Sequence, residues 1–345
     1  MIPIQNIYYM LSYAFHVLKE QGYKDIATEQ FDNATELYTA ILIKGVSIQL
    51  KRGLGREYIE QTESLTTLRG CIEISESVKK NSMLKRQLIC SYDDFSVNSY
   101  MNQVIKTTMV FLLRTDISKM RKKELRKLLV FFGDVDLLDV YTINWNLQYN
   151  RNNQTYRMLI SICYLTVKGL LQTQSDGTTR LVDFLDEQHM HRLYEKFILE
   201  YFRKEFPQIS VSASYIPWAV DSGNRAMLPI MQSDIMLTHG NRVLIIDAKY
   251  YSQATVESYG AHTLHSSHLY QIFAYVKNKD AEFAEVPHVV SGMLLYAGTD
   301  EEVQPRNTYT LSGNKISVQT LDLNCDFSEI AAQLNSIVSE HFEAV

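Results

Sequence analysis

Residues Leu228 to Tyr251 read LPIMQSDIMLTHGNRVLIIDAKYY, and this stretch decides the fold of the C-terminal half of the chain. Apolar and β-branched residues dominate two runs, 231–237 and 243–250, on either side of the turn sequence H-G-N. That pattern predicts two adjacent strands joined by a tight turn. The unbroken V-L-I-I at 243–246 indicates that the second strand is buried on both faces.

Two aspartates and a lysine interrupt these apolar runs. Alternate residues of a strand point to the same face, so Asp247 and Lys249 share a face and Ala248 points away. Asp234 lies on the neighbouring strand, where its carboxylate can approach that of Asp247. Buried charges are costly unless they are paired or bind a metal.

A magnesium ion resolves that cost, because Mg²⁺ binds carboxylate and backbone carbonyl oxygens. The pattern therefore predicts a Mg²⁺ site with Asp234, Asp247 and Ala248 as ligands. Lys249 would position or deprotonate a metal-activated water for attack on a phosphodiester. The alternative is an ordinary salt bridge between Asp247 and Lys249, since D-x-K tripeptides are common.

Two predicted helices favour the catalytic interpretation. Glu195, in L-Y-E-K-F, precedes the strands and can bring a further carboxylate to the metal. Gln271 and Tyr275 lie one turn apart on one face of a later helix. The candidate catalytic residues are thus Asp234, Asp247, Lys249, Glu195, Gln271 and Tyr275.

The rest of the chain divides at the polar segment Q-S-D-G-T-T, residues 174–179. Before it, periodicity predicts helices at 4–19, 33–51, 96–113, 117–132 and 155–173, with short extended segments between 56 and 92. After it we expect helices at 187–206, 265–279 and 328–341, with strands between 209 and 247, at 288–296 and near 309. We predict a mixed α+β protein with two domains: 1–180, helical with a small β module, and 181–345, a mixed sheet flanked by helices.

Composition excludes several classes of protein. With 46% hydrophobic and 21% charged residues, the 345-residue chain is typical of ordinary globular proteins. The N-terminus lacks the features of a secretory signal, no segment suits a membrane span, and the four cysteines are scattered. We therefore expect a cytoplasmic protein without a membrane association. A net charge of −5 excludes DNA binding by bulk electrostatics, so a local basic surface or a partner must hold any DNA.

Two further segments each allow two interpretations. The run KMRKKELRK, residues 119–127, predicts an amphipathic helix whose cations are either simply solvated or bind phosphate or a partner. His262, His265 and His268 resemble a zinc cluster, but no fourth ligand of suitable spacing is nearby.

The order Glu195, Asp234, D-A-K at 247–249 and Q-x-x-x-Y at 271–275 resembles the PD-(D/E)xK nuclease superfamily, in its branch with a Q-x-x-x-Y helix. More narrowly, the chain resembles the McrC family over nearly its full length. The segment IQNIYYMLSYA at 4–14 is similar to the N-I-Y-Y-M-L-x-Y-A opening of that family, and the block S-D-I … I-I-D-A-K-Y-Y is similar to its nuclease motif. Ser233 stands where the superfamily motif has proline, and Asp247 where glutamate is commoner.

The resemblance implies a restriction-endonuclease-like C-terminal domain that uses Mg²⁺ to cut double-stranded DNA containing modified cytosine. It also implies that the N-terminal part binds and stimulates a McrB-like hexameric AAA+ GTPase. The chain has no G-x-x-x-x-G-K-[ST] motif and so is not itself a motor of that type. Arg52, Arg56 and Arg69 are either surface cations or candidates for an arginine finger. Two alternatives stay open: a stand-alone RecB-like DNA nuclease, and a catalytically silent scaffold or activator of a GTPase ring.

Overall fold

The computed structural model describes residues 2–15, 18, 23, 26, 29, 31–149, 154–176, 187–251, 255–258, 261–283, 286–298 and 304–342. The chain forms two compact units: unit 1 comprises Met1–Ala34 and Gln172–Val345, and unit 2 comprises Thr35–Leu171. The helices are α1 Ile4–Ala14, α2 Ala34–Arg52, α3 Ile74–Lys79, α4 Tyr100–Leu112, α5 Lys119–Leu129, α6 Gln154–Asp176, α7 Glu187–Glu205, α8 Ser266–Ala281 and α9 Phe327–His341. The strands are β1 Glu57–Leu65, β2 Cys71–Ile72, β3 Leu88–Ser96, β4 Ser210–Ser212, β5 Tyr215–Ile216, β6 Met231–Gln232, β7 Ile235–His239, β8 Arg242–Lys249, β9 Thr255–Ser258, β10 Ala261–Leu264, β11 Val289–Ala297, β12 Asn307–Leu311 and β13 Asn314–Leu321.

These units differ from the predicted division into 1–180 and 181–345, because the first helix belongs to unit 1. The Asn6 side-chain amide donates hydrogen bonds to the carbonyls of Leu323 and Cys325, each at 2.8 Å. The Tyr9 ring stacks on Phe327 with ring centroids 4.4 Å apart. Helix α1 therefore contacts the C-terminal part of the chain.

Unit 2 contains helices and a small antiparallel sheet of order β1-β3-β2, as the sequence predicted. A buried asparagine organises its helical part. Asn102 donates from its side chain to the carbonyls of Gly55 and Val97, at 2.8 and 2.7 Å, and accepts from the Tyr156 hydroxyl at 2.7 Å. Arg69, one of the three candidates for an arginine finger, forms an ion pair with Asp94 on β3: its Nη2 lies 3.0 Å from Asp94 Oδ1.

Unit 1 is built on a six-stranded mixed sheet of order β12-β13-β11-β8-β7-β4. The three central strands, β8, β11 and β13, run parallel, whereas β4, β7 and β12 pair antiparallel. Helices α7 and α8 both pack on β8, which explains why its residues from Val243 to Lys249 are all buried. The predicted mixed sheet flanked by helices is confirmed.

A glycine on β11 lets α8 approach the sheet closely. A Cβ atom at Gly292 would lie 2.7 Å from Val276 Cγ2 and 2.8 Å from Ile272 Cγ1, both on α8. Since real Cβ atoms do not come so close to other carbons, the helix can sit at this depth only over a glycine. This packing sets the distance from the sheet of Gln271 and Tyr275, which lie on the same helix.

Two features of unit 1 are absent from the prediction. Strand β13 was not predicted because N-K-I-S-V-Q-T-L mixes polar and apolar residues, and its burial comes from the neighbouring strands β11 and β12. The hairpin of β9 and β10 was not predicted either, because its sequence is largely polar.

As for membranes, no helix within the described ranges combines the length and hydropathy that crossing a bilayer requires.

Candidate functional site

The site forms where β7 and β8 lie side by side. The antiparallel register pairs Ile235 with Ile246, so Asp234, one residue before β7, comes beside Asp247. Asp234 Oδ2 accepts a hydrogen bond from the backbone amide of Ala248 at 3.0 Å. The expected approach of the two aspartates is therefore present, and a main-chain hydrogen bond fixes the first of them.

Asp247 is the most deeply buried of these groups. Its side chain is 1% exposed, and its Oδ2 lies 2.9 Å from the ammonium of Lys249, which is 7% exposed. Within the part of the chain that the structure describes, neither Asp247 oxygen accepts a hydrogen bond of regular geometry. The ion pair with Lys249 thus compensates a buried carboxylate, and both carboxylate oxygens keep lone pairs that could accept further ligands.

The electrostatics of the pair follow from this burial. Burial first, and then the charges of Asp247 and Glu195, raise the pKa of Asp234 from 3.8 to about 8. Burial alone would lower the pKa of Lys249, but the charges of Asp247 and Asp234 outweigh it and raise that pKa. At neutral pH, then, Lys249 is an ammonium, and Asp234 holds a proton unless a further positive charge stands between the two carboxylates.

Helix α8 adds the amide and the phenol that the sequence predicted. The Lys249 ammonium donates a hydrogen bond to Gln271 Oε1 at 3.2 Å. The Gln271 amide in turn donates to the Tyr275 hydroxyl at 3.0 Å. A continuous polar chain therefore runs from Asp247 through Lys249 and Gln271 to Tyr275, and it holds the lysine from two sides.

Glu195 lies at the edge of this site. It contributes to the raised pKa of Asp234, while its own Oε1 is 2.6 Å from Nδ1 of His191, one turn earlier on α7. No group of three or more histidine, cysteine, aspartate or glutamate side chains is arranged to hold a metal anywhere in the described ranges. In this arrangement Glu195 acts on Asp234 through its charge, and its part as a further metal ligand stays a prediction.

Sequence reasoning missed His191 and the residues behind Lys249. The spacing H-x-x-x-E at 191–195 could have indicated the His191 contact, because residues four apart are neighbours on a helix. Tyr296 pairs with Lys249 across β11 and β8, and its hydroxyl lies 2.9 Å from His268 Nδ1. Burial, with the charge of Lys249, lowers the pKa of His268 to about 4, so this imidazole is neutral.

Of the three histidines that resemble a zinc cluster, His265 and His268 have ring centroids 4.8 Å apart. His268 bonds Tyr296, whereas His262 Nδ1 lies 3.2 Å from Thr255 Oγ1. Among the described residues these histidines do not form a group of three metal ligands.

The aspartates, by contrast, fit a hard divalent cation. The atoms that could bind the cation are oxygens, and the Asp247 carboxylate is already ionised beside the Lys249 ammonium. Added positive charge would lower the raised pKa of Asp234 and favour its ionised form. Mg²⁺ needs just one or two carboxylates because it keeps several of its waters. Asp234, Asp247 and the backbone carbonyl of Ala248 are the groups that could hold it.

The chain is similar to known proteins over nearly its whole length. Over 348 residues the chain is 28% identical to an Escherichia coli (strain K12) protein described as type IV methyl-directed restriction enzyme EcoKMcrBC, and the alignment covers 99% of each chain. Among solved structures, a half-complex from a tetradecameric assembly of Thermococcus gammatolerans McrB AAA+ hexamers with bound McrC matches at 16% identity and a TM-score of 0.48, covering 97% of this chain and 76% of the other. The cryo-EM structure of the Thermococcus gammatolerans McrBC complex matches at 20% identity and a TM-score of 0.41, covering 59% and 58%.

The decisive match is to a family model. The model describes a McrBC 5-methylcytosine restriction system component, and it matches residues 5–297, from the first helix to the end of β11. The chain therefore belongs to the family of McrBC 5-methylcytosine restriction system components.

Proposed function

We propose that this chain is a Mg²⁺-dependent endonuclease subunit that hydrolyses phosphodiester bonds in double-stranded DNA containing modified cytosine. The observation that carries the proposal is the convergence of Asp234, Asp247 and Lys249 at one end of β8, with the Asp247 carboxylate held by a single ion pair. A purely structural salt bridge needs neither Asp234 nor the polar chain through Gln271. A metal-dependent phosphodiesterase can use both, the carboxylates to hold the cation and a fixed positive group to stabilise the charge on the phosphate.

Each residue has a role in this reaction. When bound by Asp234, Asp247 and the Ala248 carbonyl, Mg²⁺ would stabilise the charge that develops on the phosphate and lower the pKa of a bound water. Lys249 is an ammonium, so it orients the attacking water and stabilises negative charge. Gln271 holds Lys249 in place at 3.2 Å, and Tyr275 in turn holds Gln271.

We also propose that the chain works with a McrB-like hexameric AAA+ GTPase. The family match and the full-length alignment to EcoKMcrBC, a methyl-directed restriction enzyme, support this partner. The sequence has no P-loop motif, so a motor must come from another chain. Its net charge of −5 is also easier to reconcile with DNA cleavage if a partner captures the DNA.

The proposal is tested by Asp247→Asn in the complex assembled with the AAA+ GTPase. This change keeps the shape of the side chain and removes the charge that holds the cation. We expect cleavage of methylated DNA to fall by at least about 100-fold, since metal assistance supplies several kcal/mol and each 1.36 kcal/mol is a factor of ten. Co-purification with the GTPase and stimulation of GTP turnover should persist. Asp221→Asn, at an exposed aspartate of the same unit, is the matched control.

The same assay separates the two alternatives. A silent scaffold predicts that Asp247→Asn leaves cleavage unchanged. A stand-alone nuclease predicts that the isolated chain cuts DNA as fast as the complex does. Either result would contradict the proposed function.

A further inference from the structure

Helix α5 in unit 2 is strongly basic in a chain that is acidic overall. Its sequence, KMRKKELRKLL, contains six cations and one acid, whereas the whole chain has a net charge of −5. Nothing in the proposed catalytic site uses these cations.

The inner face of α5 is fixed in place. Leu125 and Leu128 are buried, and Arg121, 9% exposed, lies with its Nε 3.5 Å from Glu36 Oε2. Ser118 caps the helix by accepting a hydrogen bond from the Arg121 backbone amide at 3.4 Å. The orientation of the helix is therefore set by its inner face, and the outer face does not contribute to it.

The outer face carries five cations that have no partner among the described residues. They are Lys119, Lys122, Lys123, Arg126 and Lys127, of which Lys122 is half-buried and the other four are exposed. Across the described residues, none of the five forms an ion pair, a side-chain hydrogen bond or a ring contact. On α8, by contrast, Lys277 pairs with Asp280 and Lys279 with Glu282. The outer face of α5 thus holds a concentrated positive charge that no carboxylate of the described structure neutralises.

We propose that the outer face of α5 binds the phosphate backbone of duplex DNA. The five cations recur at helical spacing, and the distance from Lys119 to Lys127 along the axis is about 12 Å at 1.5 Å per residue. That length is close to the width of the major groove, about 12 Å, so the two ends of the helix can reach phosphates on opposite strands. This inference rests on the proposed function only in taking duplex DNA as the substrate.

The composition of the face favours DNA over an acidic protein. Protein interfaces are depleted of lysine at their centres and enriched in aromatic residues. Interfaces with DNA are strongly positive, and lysine and arginine bind phosphates there. Of the exposed side chains on α5 itself, Met120 is the large apolar one, at 59% exposure. A surface of unpaired lysines and arginines therefore suits a polyanion.

The test is DNA binding by a variant with Lys119→Gln, Lys123→Gln, Arg126→Gln and Lys127→Gln. Fluorescence anisotropy would measure the affinity of the full-length chain for a duplex of about 30 base pairs, in EDTA and over a range of salt concentrations. Each phosphate contact contributes about −0.9 to the slope of log Kobs against log salt, so we expect the slope to become shallower by about 3 to 4. At low salt the affinity should fall by at least about tenfold, equally for methylated and unmethylated duplexes.

The matched control removes four cations elsewhere in unit 2, with Lys79→Gln, Lys80→Gln, Lys85→Gln and Arg86→Gln. All four are exposed, and the change in net charge is the same. We expect this control to keep most of the salt dependence. Circular dichroism should show both variants folded, because the buried side of α5 is not changed.

Three results would overturn the inference. The first is an α5 variant with unchanged DNA affinity and salt dependence, and the second is a control variant that loses as much DNA affinity as the α5 variant. The third is an α5 variant that keeps its DNA affinity but no longer associates with the AAA+ GTPase. The last result would identify the face as a protein contact. Cleavage by the wild-type complex, measured in parallel, tests the proposed function separately, because an α5 variant that binds DNA normally would contradict only the present inference.

Discussion

At the scale of single residues, the two neighbouring aspartates differ in their ionisation: Asp247 is paired with an ammonium, and Asp234 has a raised pKa. Asp247 is paired with Lys249 at 2.9 Å, whereas burial and then the charge of Asp247 raise the pKa of Asp234 to about 8. In the absence of a cation the folded protein therefore binds a proton at Asp234 that the unfolded chain releases near its ordinary pKa of 3.8. The stability that this proton contributes is complete below pH 4 and is lost as pH rises through about 8.

Asp234→Asn should remove this dependence. The asparagine oxygen can still accept the Ala248 amide hydrogen bond, while the repulsion from Asp247 disappears. In EDTA we expect wild-type stability to decline relative to the variant between pH 4 and 8, by at most about 1.4 kcal/mol per pH unit. Thermal melts at several pH values would measure the difference.

Magnesium provides the complementary measurement. At pH 8, Mg²⁺ should raise the Tm of the wild type and of the exposed-site control Asp221→Asn, but it should have little effect on Asp234→Asn. Equal stabilisation of all three proteins by Mg²⁺ would contradict a cation site at Asp234.

At the scale of elements, the depth of α8 over the sheet positions Gln271 and Tyr275, which form half of the polar chain in the candidate site. Gly292 makes this depth possible, since a Cβ there would lie within 2.8 Å of both Ile272 and Val276. Both side chains are fully buried, so neither has free space to move into. The helix itself would have to shift, and Gln271 would shift with it.

Gly292→Ala should therefore reduce both stability and activity. We expect a loss of about 1–3 kcal/mol, typical of overpacking in a core, and slower DNA cleavage because Gln271 no longer holds Lys249. Chemical denaturation and cleavage assays would measure the two effects. Gly133→Ala is the control, because the nearest atom to a Cβ there is 4.0 Å away and the backbone is helical. Normal stability of Gly292→Ala would show that α8 does not depend on this glycine.

At the scale of the whole molecule, the beginning and end of the chain complete the same unit. Asn6 joins α1 to the segment before α9 through its bonds to Leu323 and Cys325. The Tyr13 hydroxyl also donates to Glu205 on α7 at 2.8 Å. The N-terminal helix is thus part of the structure that carries the candidate nuclease site, although some 200 residues separate the two in sequence.

Asn6→Ala should destabilise unit 1. Its loss leaves two carbonyls without their donor, which costs about 1–3 kcal/mol. The two tryptophans allow a selective measurement, because Trp218 lies in unit 1 and Trp145 in unit 2. In a Trp145→Phe background, we expect the urea midpoint seen by Trp218 fluorescence to fall. Asn324→Ala, at an exposed position on the adjoining segment, is the control, and an equal shift in that variant would contradict the proposed role of Asn6.

Local sequence patterns were sufficient to predict most helices and strands and to bring the central residues of the candidate site together. Strand alternation put Asp247 and Lys249 on one face, and helical spacing put Gln271 and Tyr275 together, because both periodicities follow from backbone geometry alone. Strand β13 shows where this reasoning ends: its mixed sequence has no strong period, and it becomes buried only through its two neighbours.

The sequence alone determined which residues can form the site, since the order of the carboxylates, the lysine and the Q-x-x-x-Y helix is written in short segments. Tertiary structure alone decided that α1 joins the C-terminal unit. It also decided that, among the described residues, the Asp247 carboxylate has a single ionic partner and five cations of α5 have none. The physical reason is the distance along the chain over which each effect acts. Backbone periodicity acts over a few residues, whereas the burial and pairing of a charge depend on groups that packing brings together from distant parts of the chain.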